Sequence, residues 1–95
     1  MEPGRKSALR IEYCIRCNWR LRAAWYAQEI LSTFENELSE VALVPSATAG
    51  HFSISIDDEQ LFDRKSHGGF LEVKRVKRRV RDRVAPNRNL GHIDG

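Results

Sequence analysis

The residues best suited to chemistry are the only two cysteines of the chain, Cys14 and Cys17, which form a Cys-x-x-Cys dithiol. They follow an alternating segment at residues 8–13, which predicts a strand, and they precede a helix-forming run that begins at Asn18. A dithiol at a strand-to-helix junction is typical of redox sites, because the free amides and positive end of a helix stabilise a thiolate. Arg16, between the cysteines, adds a positive charge that acts in the same direction. Thiol–disulfide exchange with Cys14 and Cys17 as the catalytic residues is therefore the leading hypothesis.

The same dithiol could instead supply half of a zinc site, since tetrahedral zinc needs four ligands. Only His51, His67 and His92 could complete such a set, and none of them has the close spacing of a zinc finger. The sequence therefore favours a redox dithiol over a metal site. No organic cofactor is expected, because the two sulfur atoms themselves carry the electrons.

Length and composition indicate one small domain over residues 1–95, since a chain with 41% hydrophobic and 31% charged residues can bury a single modest core. No apolar run is long enough to span a membrane, and the first residues lead into no signal-peptide stretch. We therefore expect a cytoplasmic protein, in a compartment where paired cysteines are more often catalytic or metal-binding than structural. The segments 1–7 and 87–95 carry weak structure signals and are predicted to be mobile.

The first half of the chain predicts a βαβ unit. The strand at residues 8–13 is followed by a helix at about residues 17–36 and by a continuous apolar strand at residues 41–44, which Pro45 ends. Such an apolar strand is expected to be buried on both faces and to lie parallel to the first strand. The helical spacing assigns core positions to Trp25, Leu31, Phe34 and Leu38.

The second half predicts a hairpin and a final helix. Residues 51–56 and 60–63 flank a polar turn, and the helix follows the Gly68-Gly69 break and ends at Pro86. Its inward stripe consists of Val73, Val76, Val80 and Val84. The order β-α-β-β-β-α belongs to the α/β (α+β) class, with a small mixed sheet and both helices on one face. This is the minimal core of a thioredoxin-like fold.

Three short motifs together resemble one known family. Residues 14–19 read Cys-Ile-Arg-Cys-Asn-Trp, residues 50–54 read Gly-His-Phe-Ser-Ile, and residues 68–70 read Gly-Gly-Phe. In this combination they resemble the selenoprotein W/T/H (Rdx) family, in a cysteine-containing form. The resemblance implies a compact thioredoxin-like fold and a cytoplasmic redox function whose substrate is undefined. Leu71 departs from the family pattern, since many relatives have proline there, and proline would preorganise the first helical turn.

Which cysteine attacks the substrate stays open. Thioredoxin-like proteins attack with the first cysteine of the pair, which favours Cys14 as the nucleophile and Cys17 as the resolving thiol. The resemblance favours Cys17, because it stands where selenium-bearing relatives place selenocysteine, and the predicted helix start lies closer to it. Sulfur in place of selenium implies slower chemistry in either case.

Arg16, Asn18 and Trp19 are the residues expected to shape the site, with Trp19 as an apolar wall and Arg16 as a charge. Pro45 is not assigned the role of the proline that faces the dithiol in thioredoxin folds, because a loop separates it from the next strand. The expected substrate is an oxidised protein or a low-molecular-weight thiol compound. Glutathione or a thioredoxin system is the expected reductant by analogy. Dimerisation through an exposed strand edge is left open.

The segment at residues 74–83 carries seven positive charges and supports a rival hypothesis. A basic helix could bind an acidic protein or nucleic acid, which would make the chain a non-enzymatic interaction module. However, no aromatic residue lies among these charges for base stacking, and the valine stripe occupies the inward side. The sequence therefore favours a solvated outer face over nucleic-acid binding.

Overall fold

Residues 6–91 are described by the computed structural model, which arranges them around a four-stranded mixed sheet. The strands are β1 (Ser7–Cys14), β2 (Leu38–Ser46), β3 (Phe52–Ile56) and β4 (Glu59–Asp63). The helices are α1 (Arg20–Phe34), the single turn α2 (Arg64–His67) and α3 (Val73–Val84), and a short 3₁₀ turn (Ile15–Cys17) follows β1. The spatial order is β2-β1-β3-β4, with β1 and β2 parallel and the other pairs antiparallel. The predicted class and element order are confirmed, with α2 as an addition.

The core lies between one face of the sheet and the two longer helices. β1 and β3 alternate, so that Leu9 and Ile11 share this buried face with their cross-strand partners Ile56 and Ile54. α1 and α3 contact each other as well as the sheet, so both helices cover the same face, as predicted. The valine stripe of α3 is also confirmed, since two of its members are buried and the other two are partly buried against the core.

The predicted buried face of α1 is largely wrong. Trp25 and Leu31 are 48% and 36% exposed, while Phe34 is buried as expected. The face that packs on the sheet consists of Ala23, Tyr26, Ala27, Ile30 and Phe34. Apolar residues occur around most of the helix circumference, so their spacing was compatible with two different buried faces. The face that packs against the sheet is the one with the small alanines, which allow a close approach. Leu38 is buried, but it belongs to β2 rather than to the helix.

The prediction that the strand at residues 41–44 is buried on both faces is also wrong. β2 is an edge strand, and Leu43 at its centre is 39% exposed. A continuous apolar run does not distinguish a central strand from an edge strand that one helix partly covers. Nor does Pro45 end the strand, which runs on to Ser46, because proline is tolerated on a sheet edge.

The ends of the described chain are tied to the core at two points. Ser7 already belongs to β1, and Leu90 is buried in the hydrophobic core. Residues 1–5 and 92–95, where most of the predicted mobility falls, lie outside the described residues, so mobility of the ends stays a prediction. Between residues 6 and 91, no helix combines the length and apolar character needed to cross a membrane.

Candidate redox site

The dithiol lies where β1 turns into the 3₁₀ turn. Cys14 is the last residue of β1, and its amide donates a 2.8 Å hydrogen bond to the carbonyl oxygen of His51. Cys17 ends the 3₁₀ turn, and the two cysteines are joined as a disulfide with their Cα atoms 5.4 Å apart. Cys14 is 1% exposed, whereas Cys17 is partly exposed. The two cysteines therefore differ in access, and Cys17 is the more exposed residue.

Asn18 links the dithiol turn to α1. Its backbone has φ 59° and ψ 33°, the left-handed region in which asparagine is among the few non-glycine residues found routinely. This residue ends the 3₁₀ turn, and Trp19 then occupies the N-cap position of α1. α1 consequently begins at Arg20 rather than at Cys17 as predicted, so neither cysteine lies in its first turn. A site-shaping role for Asn18 stays a prediction, and its left-handed backbone is the feature through which it would act.

Trp19 is partly buried and forms a wall between the dithiol turn and the core. Its ring meets the rings of Phe52 and Phe70 edge to face, with centroids 6.2 and 5.1 Å apart. On the same indole the Arg64 guanidinium carbon lies 4.8 Å from the ring centroid, within the range of a cation–π contact. Arg64 also donates hydrogen bonds of 3.2 and 3.1 Å to the carbonyl oxygen of Gly50. The loop before β3 and the dithiol turn are therefore held on one aromatic cluster.

Arginines surround the dithiol turn. Arg16 and Arg20 are both exposed, and no described carboxylate forms an ion pair with either. Arg22 stacks on Phe70, with its guanidinium carbon 4.1 Å from the ring centroid. Exposed positive charge therefore lies within and just after the dithiol turn, and its effect on the cysteines stays a prediction.

A depression of about 370 Å³ adjoins the dithiol turn and was not foreseen from the sequence. It is lined by Tyr13, Ile15, Asn18, Arg20 and Leu21. Ile15 is 53% exposed and Leu21 is 76% exposed, although both are large apolar residues. The only sequence signal was their position beside the cysteines, since the helical spacing had assigned Leu21 to the apolar stripe.

A polar network on the opposite, open face of the sheet was also missed. His51 Nε2 lies 3.0 Å from a Glu12 carboxylate oxygen and 3.2 Å from the Ser53 hydroxyl, and Arg10 pairs with the other Glu12 oxygen at 3.0 Å. The alternation of β1 and β3 could have found it, because these residues all fall on the face opposite the core. The network reinforces the β1–β3 pairing next to Cys14.

Two ionisable groups near the packed helices have shifted pKa values. Burial raises the pKa of the Tyr26 hydroxyl, which donates a hydrogen bond to the carbonyl oxygen of Leu71, and Arg22 beside it acts in the opposite direction. The pKa of Asp63 is lowered, chiefly because its carboxylate accepts a 2.9 Å hydrogen bond from the Ser66 amide at the start of α2. Both shifts concern structural contacts rather than the dithiol.

The histidines do not gather around the dithiol as zinc ligands. His51 belongs to the open-face network, while His67 packs against Phe62 and approaches the Gly69 carbonyl. His92 lies outside the described residues. No group of three histidine, cysteine or acidic residues suited to a metal ion occurs among residues 6–91.

Much of the basic charge of α3 is used within the molecule. Lys77 is buried and pairs with Glu29 at 3.1 Å, and Arg79 donates to the carbonyl oxygen of Leu61. Arg81 pairs with Asp82 at 3.1 Å, and Arg83 forms an ion pair with Glu59. At least four of the seven cations in residues 74–83 thus have intramolecular partners, and Arg78 is not free either.

Comparison with known proteins agrees with this geometry. The Rdx family model matches residues 8–82. The crystal structure of a selenoprotein W-related protein from Vibrio cholerae is 48% identical and superposes with a TM-score of 0.81, covering 84% of this chain and 99% of that one. A crystal structure from Bordetella parapertussis is 52% identical with a TM-score of 0.79, covering 82% and 98% of the two chains. No curated protein matches the chain significantly. The family model extends over far more than half of the chain and both structures align over most of their length, so the chain belongs to the Rdx family.

Proposed function

We propose that the protein is a thiol–disulfide oxidoreductase in which Cys17 reacts with the substrate and Cys14 resolves the intermediate. The observation that carries the proposal is the pairing of a buried and a partly exposed cysteine at disulfide distance. A partly exposed cysteine is the better placed of the two to meet a substrate, whereas a buried one is limited to its neighbours. The Rdx membership supports the same assignment, because selenium-bearing relatives place selenocysteine at the position of Cys17.

Arg16, Asn18 and Trp19 support this chemistry in distinct ways. Arg16 places a positive charge next to the cysteine that must ionise, which favours the thiolate. Asn18 sets the backbone turn after Cys17, and Trp19 anchors that turn to the core. We place the reaction in the cytoplasm, where a glutathione or thioredoxin system would return the disulfide to the dithiol and an oxidised protein or small disulfide would be the substrate.

The rival proposal, an interaction module based on the basic helix, has weaker support. At least four of the seven cations are paired within the molecule, and the valines of α3 are used in the core. Binding to nucleic acid would have to compete with these internal contacts, and it would be strongly salt-dependent. A mobility-shift titration with DNA and RNA tests it, and salt-sensitive binding would revive it.

To test the redox proposal, the reduced protein is mixed with hydroxyethyl disulfide, a neutral small disulfide, and the thiols that its reduction releases are measured. We expect thiols to be released in step with formation of the Cys14–Cys17 disulfide. The variant with both cysteines replaced by serine should release none, while Arg75→Gln, an exposed cation on α3, should behave like the wild type. Equal thiol release by the wild type and the double-serine variant would refute the proposal.

A further inference from the structure

The chain is cationic around the dithiol as well as along α3. Between Glu12 and Glu29 the sequence contains three arginines and no acidic residue. Arg16 and Arg20 form no ion pair with any carboxylate in residues 6–91, in contrast to the paired cations of α3. Unpaired cations beside a reactive sulfur leave a positive potential that an anionic partner would neutralise.

Apolar side chains are exposed on the same surface. Ile15 lies between the two cysteines, and Leu21 begins the exposed side of α1. Both line the depression of about 370 Å³, together with Tyr13 and with Arg20 at its rim. An exposed apolar patch with a polar rim is a common mark of a surface that binds another protein. The depression lies beside the dithiol turn, since Ile15 and Asn18 both line it.

Resting on the proposed function, we propose that the substrate is a protein segment whose disulfide is flanked by an apolar side chain and by acidic residues. The apolar side chain occupies the depression beside Ile15 and Leu21, and the carboxylates lie against Arg16 and Arg20. A symmetric pairing of two copies through this face does not fit, because the face would then meet its own positive charge. A small anionic disulfide would satisfy the arginines but would leave Leu21 without a role.

The proposed reaction balances with the partner disulfide as the oxidant. The Cys17 thiolate attacks one sulfur of that disulfide, which forms a mixed disulfide and releases the other partner sulfur as a thiolate that takes up a proton. The Cys14 thiol loses its proton and attacks Cys17, which forms the Cys14–Cys17 bond and releases the second partner thiol. Two electrons pass to the partner, and the dithiol is oxidised once.

The test uses matched synthetic peptides that each close one disulfide and differ only beside it. The first carries leucine and glutamates, the second leucine and lysines, and the third serine and glutamates. Their rates of reduction by the reduced protein are compared with those of hydroxyethyl disulfide and oxidised glutathione. We expect the leucine–glutamate peptide to react about tenfold faster than the lysine peptide at low ionic strength, and this advantage should shrink with added salt.

Two variants and two controls locate the effect. Arg20→Gln should reduce the preference for glutamates, and Leu21→Ser should reduce the preference for leucine over serine. Arg75→Gln on α3 and Leu31→Ser at the far end of α1 change the same residue types away from the dithiol, and each should keep both preferences.

The outcomes separate this inference from the function on which it rests. Reduction of hydroxyethyl disulfide with equal rates for all peptides would overturn the inference and leave the redox function standing. The inference would also be overturned if oxidised glutathione were reduced as fast as the leucine–glutamate peptide and Leu21→Ser changed neither rate. That result would assign the site to small anionic disulfides. Failure to reduce any of these disulfides would remove the proposed function itself.

Discussion

At the scale of single residues, the two cysteines are set apart by their surroundings rather than by their chemistry. Cys14 ends a central strand, donates its amide hydrogen bond to the carbonyl oxygen of His51 just before β3, and is 1% exposed. Cys17 lies in a one-turn 3₁₀ segment beside an exposed arginine. We therefore expect an incoming disulfide to reach Cys17 more readily than Cys14, which is the basis of the proposed assignment.

We predict that Cys14→Ser traps a mixed disulfide at Cys17, because the attacking thiol remains and the resolving thiol is gone. Cys17→Ser should instead lower the rate of the first attack at least about a hundredfold. The measurement is mass spectrometry of each variant after exposure to a small disulfide, with peptide mapping of the adduct. An adduct that forms rapidly at Cys14 in Cys17→Ser, and slowly at Cys17 in Cys14→Ser, would reverse the assignment.

Asn18 yields a prediction about stability. Its left-handed backbone costs most residues about 1–2 kcal/mol but costs glycine little. We therefore expect Asn18→Ala to lower the free energy of unfolding by about 1 kcal/mol and Asn18→Gly to be nearly neutral, as measured by urea denaturation of the oxidised protein. Asn36→Ala is the matched control, because Asn36 is exposed and its φ is not positive. If all three variants lose the same stability, the strain argument fails.

At the scale of elements, caps and junctions position the site. Asp63 caps α2, and α2 presents Arg64 to both Trp19 and the loop before β3. This short helix therefore connects the end of the hairpin to the dithiol turn. Its stability depends on one carboxylate, since Asp63 is its only side-chain cap.

We predict a pH-dependent effect of Asp63→Ala. Because the folded pKa of Asp63 is lowered from 3.8, its contribution to stability is present above pH 3.8 and is lost as the pH falls through the folded pKa. The variant should be less stable than the wild type by about 1 kcal/mol near neutral pH, and the difference should disappear well below pH 3.8. Asp63→Asn, which keeps a capping oxygen, should lose less at neutral pH. Urea denaturation at both pH values checks this, and a difference independent of pH would contradict it.

The sequence predicted the elements better than their surroundings. Alternation and turn residues located β1, β3 and β4, and the valine spacing located both α3 and its buried face. The buried face of α1 was misassigned, because Trp25 and Leu31 are as apolar as the residues that pack. Similarly, the apolar run of β2 could not reveal that this strand lies at the edge of the sheet. These are properties of tertiary packing, and local patterns do not encode them.

Only those parts of the candidate site whose residues are neighbours in the sequence could be predicted. Cys14, Cys17 and Arg16 are adjacent in sequence, so their grouping needed no knowledge of the fold. The stacking of Arg64 on Trp19 joins residues 45 positions apart and depends on α2, which no sequence signal indicated. The exposure of Leu21 also depended on which face of α1 packs.

At the scale of the whole molecule, the core and the dithiol turn form one packed unit. Phe52 lies at its centre, with ring centroids 5.0 Å from Phe70, 5.8 Å from Tyr26 and 6.2 Å from Trp19. These contacts join β3, α1 and the segment before α3 to the residue that follows Asn18. A change at Phe52 is therefore transmitted to the dithiol turn.

We predict that Phe52→Ala lowers the free energy of unfolding by about 3–5 kcal/mol, because it leaves a cavity among four rings. It should also weaken the near-ultraviolet circular dichroism of Trp19. Leu43→Ala on the exposed edge of β2 is the control and should cost less than about 1.5 kcal/mol. If Phe52→Ala does not fold, Phe52→Leu should show the same changes at smaller size. If Phe52→Ala and Leu43→Ala lowered the free energy of unfolding equally, this account of the core would be contradicted.

The central claim is that Cys14 and Cys17 cycle between dithiol and disulfide, and a redox titration tests it most directly. The purified protein is equilibrated in glutathione buffers of graded potential, its thiols are trapped, and the products are weighed by mass spectrometry. We predict a reversible intramolecular Cys14–Cys17 disulfide with a midpoint between about −180 and −300 mV. A pair that stays reduced at every potential in this range, or a protein that retains zinc in place of the disulfide, would contradict the claim.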